Sequence, residues 1–367
     1  MVPMRDTPFQ TLVLSTIFVL AAGTLLVLGR SILLPIVTAT ILVYLLESVA
    51  GALRRLPVLG YLPLGALRLL LLAFAATVVF VLAAVFSATV REIMAVAPTY
   101  EDNLRAMVDG VAGYFHFEND ELWERVTAET VGRIDLRRFS LAVLGGFTNL
   151  GSVVLMVIIY AAFITAERRS FQRRLTAGLR SPEQSARVLA VVGAINEKIS
   201  RYLAFKTLIN IVLGTISYAI LWAFNVDFAL FWAVVIGVLN YIPYLGSLLA
   251  VAFPVALSLA QFGSIGLTVG LGAALTAVQV TLGNIIEPRL IGRQLNLSPF
   301  VVLLALALWT TLWGIPGAIL AVPLTSILAI VLASFDKTRW LALLLAERVD
   351  VPPAAEPTPR HGELPER

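Results

Sequence analysis

From residue 207 to residue 335 the chain is almost continuously apolar, and four further apolar runs precede it at 11–29, 31–53, 64–90 and 141–166. A hydrocarbon core of about 30 Å is crossed by about 20 apolar residues of helix. Runs of this length, repeated along one chain, define a polytopic membrane protein. Composition agrees. Hydrophobic residues make up 59% and charged residues 14%, against about 45–50% and about 25% in average soluble domains. Mean hydropathy is +0.90. An ordinary cytosolic enzyme, a disordered chain and a nucleic-acid-binding domain are thereby excluded. The fold class is all-α, a polytopic membrane protein. The first run has features of a secretory signal, with Arg5 ahead of it and Ala21-Ala22-Gly23 as a cleavage-like site. Its apolar stretch continues past those small residues and another span follows at once, so a retained helix is the better reading.

The second half is punctuated. Asn225-Val226-Asp227, the stretch 240–247, Gln261-Phe262-Gly263-Ser264, the polar stretch 287–298 and Trp313-Gly314-Ile315-Pro316-Gly317 interrupt it. Between them, 207–224 and 265–286 have full-span length, whereas 228–242, 248–261 and 299–313 do not. Fifteen residues of helix reach about 22 Å. Such pieces suit half-helices, tilted elements or re-entrant hairpins better than independent spans.

Charge sets orientation. Segment 91–138 holds six basic and ten acidic residues, whereas 167–206 holds nine basic and three acidic ones. The positive-inside rule assigns the second segment to the cytoplasm and the first to the outside. Arg168-Arg169 abuts a span end and anchors the assignment. Counting spans from there places both termini in the cytoplasm. Topology thus absorbs the net charge of +4, and no nucleic-acid partner is implied. The resulting organisation is three helices in 1–90, an extracytoplasmic helical segment in 91–140, a fourth helix in 141–166, and a basic cytoplasmic connection in 167–206. A core with broken helices follows in 207–340, then a proline-rich tail in 341–367 that reads as disordered. Amphipathic stretches at 93–108, 122–134 and 187–199 predict helices within the polar segments.

Residues for enzyme chemistry are scarce. The chain has no cysteine and two histidines, His116 and His361, neither within a span. No G-x-x-x-x-G-K-[ST] loop occurs. The sequence therefore predicts no enzyme, no metal site and no cofactor.

Polar residues inside the spans are more informative. Glu47 sits near the inner end of the second span, with Arg54 or Arg55 as candidate partners. Thr276, Gln279, Gly283, Asn284 and Glu287 fall within an arc of about 140° on an ideal helix, a stripe that suits a water-filled cavity or other helices better than lipid. For Glu287 a salt bridge to Arg289 or Arg293 at the cytoplasmic end is an equally good explanation. Gly266, Gly270 and Ala274 form a ridge for close helix packing. The run from Ile242-Pro243 through Gly246 and a Leu-Ala-Val core to Pro254 is echoed by Ile315-Pro316, Gly317 and the run to Pro323. Paired Pro/Gly-interrupted segments are a sequence pointer to a transporter binding site, because broken helices leave backbone groups that must be buried or line a cavity. As hairpins, 228–261 would open outward and 299–335 inward. Two ordinary turns at the membrane surface are the alternative.

The string Gly283-Asn284-Ile285-Ile286-Glu287-Pro288-Arg289 leads through Leu297-Ser298-Pro299 to Trp313-Gly314-Ile315-Pro316-Gly317. With Asn240-Tyr241-Ile242-Pro243-Tyr244-Leu245-Gly246-Ser247 and the segment 199–207, it resembles the autoinducer-2 exporter-like transporter family. The resemblance covers the chain to about residue 340. It implies an inner-membrane permease of the bacterial cell with about eight transmembrane segments that forms a homo-oligomer, with a pentamer as candidate assembly. Some members are assigned export of autoinducer-2 and others sodium/proton antiport. Tyr244 stands where autoinducer-exporting members are expected to carry a polar residue such as asparagine.

The combined reading is a secondary transporter moving a small polar solute outward, with a monovalent cation/proton antiporter as the alternative and a membrane scaffold as a third class. Candidate pathway residues are Asn240, Pro243, Gly246, Ser247, Thr276, Gln279, Asn284, Glu287, Pro288, Gly314, Pro316 and Gly317, with Glu287 as the candidate coupling carboxylate.

Overall fold

A computed structural model describes residues 8–55, 61–115, 136–179, 181–291 and 295–348. Every regular element among the described residues is helical. In chain order these are α1 (Pro8–Leu28), α2 (Arg30–Leu53), α3 (Leu64–Phe115), α4 (Leu136–Ala177), α5 (Pro182–Ala223), α6 (Ala229–Leu239), α7 (Leu245–Phe262), α8 (Ile265–Val280), α9 (Glu287–Ile291), α10 (Pro299–Ala333) and α11 (Arg339–Leu345). A π-helical segment, Thr281–Ile286, joins α8 to α9. Six helices among the described residues are long and apolar enough to cross a membrane, and Val13–Leu28 and Ala229–Leu239 are shorter apolar helices.

Serines start the helices that matter most. Ser181 and Ser298 accept hydrogen bonds from the backbone N–H groups of Gln184 and Val301, at 3.2 and 3.3 Å, and each is followed by proline at the first helical position. Such a cap satisfies an orphan amide while the proline removes another, so the sequence Ser-Pro fixes where each helix begins.

Two polar segments extend helices instead of separating them. The expected connection 167–206 lies within α4, which runs on to Ala177, and α5, which passes without a break from Pro182 to Ala223. The charge change marks where helix leaves lipid, and nothing in its chemistry stops a helix there. Likewise α3 continues through the expected helix 93–108 to Phe115, with Pro98 inside it. The expected helix 122–134 lies outside the described residues. The proposed tail begins later than residue 341, because 341–345 belong to α11. Ser298 N–H donates to Leu345 O at 3.1 Å, and Arg348 N–H donates to the Asn296 side chain at 3.1 Å, so this segment clamps the link into α10.

The breaks in the second half fold back as two hairpins. Within α10, Gly314 adopts φ 67° and ψ −146°, a region open essentially to glycine alone. Trp309 Nε1 donates to Thr325 Oγ1 at 3.0 Å across a separation of sixteen residues, which a straight helix would hold about 24 Å apart. A Cβ on Gly317 would overlap the Trp309 carbonyl oxygen, and one on Gly246 would overlap that of Leu239. Glycine is therefore required where each pair of arms meets. The tip between α6 and α7 contains a tight turn in which Leu245 N–H donates to Pro243 O at 2.7 Å, with Tyr244 between them at φ 61° and ψ −61°. This is the rare, strained γ-turn geometry.

The hairpins enter from opposite ends. The α6–α7 hairpin opens beside the far end of α5, where Asn225 and Gln261 share a hydrogen bond. The α10 hairpin opens beside α11. Ile242 at the first tip packs against Leu306 and Ala318, one on each arm of the second. Trp313 at the second tip donates its indole N–H to Leu26 O of α1 at 3.0 Å. The two interrupted segments thus form overlapping, opposed hairpins.

Tyr100 and Asn103, on the extension of α3, hold the open mouth of the α6–α7 hairpin. Tyr100 Oη donates to Asp227 at 2.7 Å and Asn103 Nδ2 to Gln261 O at 2.8 Å. Burial, followed by the bond and charge of Asp227, raises the Tyr100 pKa well above its ordinary value of 10.

Candidate functional site: a buried polar chain on α5

α5 is the axis of the site. Ile199, Leu203, Lys206, Asn210, Leu213, Ser217 and Leu221 are all buried and recur every three or four residues, the spacing of one helix face. Three of these positions are polar. Close approach is possible because Gly214 lies against the Ala233 carbonyl and Gly237 against that of Asn210, each with room for little more than hydrogen. This places α6 directly on the polar face of α5.

Lys206 Nζ donates to both carboxylate oxygens of Glu287, at 2.6 and 2.8 Å. At the next residue, Thr207 Oγ1 and Tyr241 Oη share a hydrogen bond of 2.6 Å. Then comes a chain of three amides. Gln279 Nε2 donates to Asn240 Oδ1, and Asn240 Nδ2 donates to Asn210 Oδ1, each at 2.7 Å. Asn210, Asn240 and Gln279 are all buried. The chain ends in spare capacity: Asn210 Nδ2 and Gln279 Oε1 are buried and have no hydrogen-bond partner. Asn210 stands thirteen residues before Ala223, about 20 Å along the axis and well inside a hydrocarbon slab. A buried amide without a partner costs free energy, so a donor and an acceptor left open there suit a polar ligand or water.

Among the residues singled out by sequence, Asn240, Gln279 and Glu287 join this network. Pro243 and Gly246 shape the adjacent tip, and Ser247 donates to Tyr244 O at 2.8 Å within it. Gly317 is buried in the second tip, while Gly314 and Pro316 are exposed there. Thr276 and Asn284 are exposed, and Thr276 lines a shallow cavity with Val255 and Gly272 on the flank of α7 and α8. Gly283 is half-buried and Pro288 is exposed. Beyond Gln279 the stripe expected at 100° per residue loses its phase, because the i→i+5 bonds of the π segment Thr281–Ile286 place an extra residue in the turn.

Glu287 pairs with Lys206, and Arg289 is exposed; Arg293 lies outside the described residues. Glu47 likewise pairs with Arg68, at 3.0 Å, and with Arg168, in place of Arg54 or Arg55. Lys206, Asn210, Thr207 and Tyr241 were not legible as site residues while 167–206 was read as a surface connection. The signal was present in the buried periodicity of α5, which crosses that boundary. Among the described residues no group of three or more His, Cys, Asp or Glu side chains could hold a metal.

Membrane-crossing helices, opposed broken hairpins and a polar chain with open hydrogen-bonding capacity define a multi-pass membrane transporter. Residues 14–337 match the model of the AI-2E family transporter, and the chain belongs to that family. It is 33% identical over 200 residues to the AI-2 transport protein TqsA of Escherichia coli K12, a match covering 54% of this chain and 57% of TqsA. A provisionally named transport protein of Borreliella burgdorferi is 36% identical over 197 residues, 53% of this chain and 52% of its own length. Another provisionally named transport protein, from Haemophilus influenzae, is 29% identical over 284 residues, 77% of this chain and 81% of its own length.

Proposed function

We propose that this protein is an inner-membrane secondary transporter that carries a small, hydroxyl-bearing polar solute outward through the chain formed by Asn210, Asn240 and Gln279. The observation that carries this reading is the unpartnered pair at the ends of that chain, Asn210 Nδ2 and Gln279 Oε1. One donor and one acceptor, set in a buried site, match a hydroxyl group, which both accepts and donates. The overlap of two opposed hairpin tips beside the site suits alternating access, since each mouth faces a different end of the molecule. The name of TqsA supports AI-2 as the first solute to test. Both termini are assigned to the cytoplasm on the arginine distribution, and the large exposed apolar faces suit lipid and a homo-oligomer.

Sodium/proton antiport has less support. Its candidate carboxylate, Glu287, is held by Lys206, and a positively charged neighbour disfavours a bound cation. The test is efflux from proteoliposomes loaded with AI-2, with and without a proton or sodium gradient, using the wild type and Asn240→Leu. Solute efflux in the wild type, lost in the correctly folded variant, is the expected result. Wild-type efflux in Asn240→Leu would refute the site, and sodium-dependent proton movement without solute flux would replace the function.

A further inference from the structure

A second polar cavity lies at the other end of the molecule from the α6–α7 mouth, where α2, α3, α4 and α5 meet. Its volume is about 1190 Å³, and Arg54, Arg55, Arg68, Arg168 and Arg201 line it with Glu47, Glu197, Asn196 and Ser200. Five guanidinium groups thus face two carboxylates. The internal pairings consume only part of that charge. Glu47 takes Arg68 and Arg168, and Glu197 takes Arg201 at 2.9 Å. Arg54 and Arg55 are exposed and make no ion pair among the described residues.

Topology alone asks for arginines near a membrane surface; it does not ask that they converge on one concave site. Here they do, and one further feature points the same way. Leu64 and Gly65, the first residues of α3, line the cavity, so the unpaired amides of a long helix face the same space and favour an anion. Glu47, held between two arginines at one wall, fixes Arg68 and Arg168 in place instead of neutralising the whole site.

We infer that this cavity binds a phosphoryl group, with Arg54 and Arg55 as its free guanidinium ligands and the start of α3 as its amide donor. Guanidinium is the side chain best matched to phosphate oxygens, through paired N–H bonds. Basic pockets between membrane helices also take the headgroups of anionic lipids. The shared chemistry is a phosphate ester, whether carried by a lipid at the membrane surface or by a soluble organophosphate. The site is separate from the α5 amide chain, so its occupancy is measurable without transport.

The test uses the full chain and its thermal unfolding midpoint, followed by tryptophan fluorescence. In neutral detergent, glycerol 3-phosphate is titrated against potassium chloride of matched ionic strength. In lipid nanodiscs, phosphatidylglycerol is compared with phosphatidylcholine. Saturable stabilisation is expected, and it should be lost in Arg54→Gln/Arg55→Gln, whose exposed side chains hold no internal pair. Arg54→Lys/Arg55→Lys, which keeps the charge, should retain less than half of the shift. Stabilisation by both phosphates assigns a general phosphoryl site, and stabilisation by phosphatidylglycerol alone assigns the headgroup as its source. No shift beyond chloride and phosphatidylcholine in either medium would overturn the inference, as would an undiminished shift in the glutamine double variant. If that variant fails to fold, the same titration of the lysine variant decides: an undiminished shift again refutes guanidinium recognition.

Discussion

Removing the Glu287 carboxylate while leaving Lys206 in place tests the most expensive arrangement in the fold. The Lys206 side chain is 8% exposed and that of Glu287 22%. Breaking a buried ion pair by deleting one partner costs about 3–5 kcal/mol, because the remaining charge is stranded. The partial exposure of Glu287 places Glu287→Gln near the lower end, about 3 kcal/mol, or roughly a hundredfold in the folding equilibrium. Replacing both members with apolar residues removes the stranded charge. Lys206→Met/Glu287→Leu should therefore lie within about 1 kcal/mol of the wild type, giving a coupling energy of several kcal/mol in a double-mutant cycle. Unfolding in mixed detergent micelles, titrated with denaturing detergent, measures each variant. Two single variants that each lie within about 0.5 kcal/mol of the wild type, the range of neutral surface substitutions, would refute the reasoning. So would a double variant as unstable as the sum of the singles.

Three other outcomes follow from local geometry. Gly246→Ala and Gly317→Ala should each cost about 1–3 kcal/mol by forcing a methyl group into a carbonyl, whereas Gly266→Ala, with open space around it, should be neutral in the same titration. Tyr244→Gly should stabilise the protein by about 1 kcal/mol, since glycine reaches φ 61° and ψ −61° without a Cβ clash; equal or lower stability would remove strain from the account of that tip. The raised pKa of Tyr100 means that its bond to Asp227 is fully present below the ordinary tyrosine pKa. Above about pH 10 the unfolded phenol ionises, so the contact should contribute less with rising pH. Hydrogen exchange at 225–227 should then quicken, and Tyr100→Phe should abolish that pH dependence.

Part of this protein could be read directly from residue order. Membrane residence and helical class follow from apolar run length, which depends on the chain alone and the thickness of the bilayer. The hairpin tips were also visible at Pro243, Gly246, Gly314 and Gly317, because proline and glycine are the residues that break a helix. Helix ends at Ser181 and Ser298 are local in the same sense.

Partnership was not visible. Lys206 and Glu287 are 81 residues apart, and Asn210 and Asn240 are 30 apart. Nothing in residue order says that α6 packs on the polar face of α5 closely enough to join their amides. The π segment Thr281–Ile286 shifts the helical phase beyond Gln279, so that Asn284 is exposed while Glu287 reaches Lys206. The arginine cavity likewise required four helices to converge. Sequence fixes which atoms need partners; tertiary structure decides which partners they find, because burial removes water as the default answer and only packed neighbours can supply another.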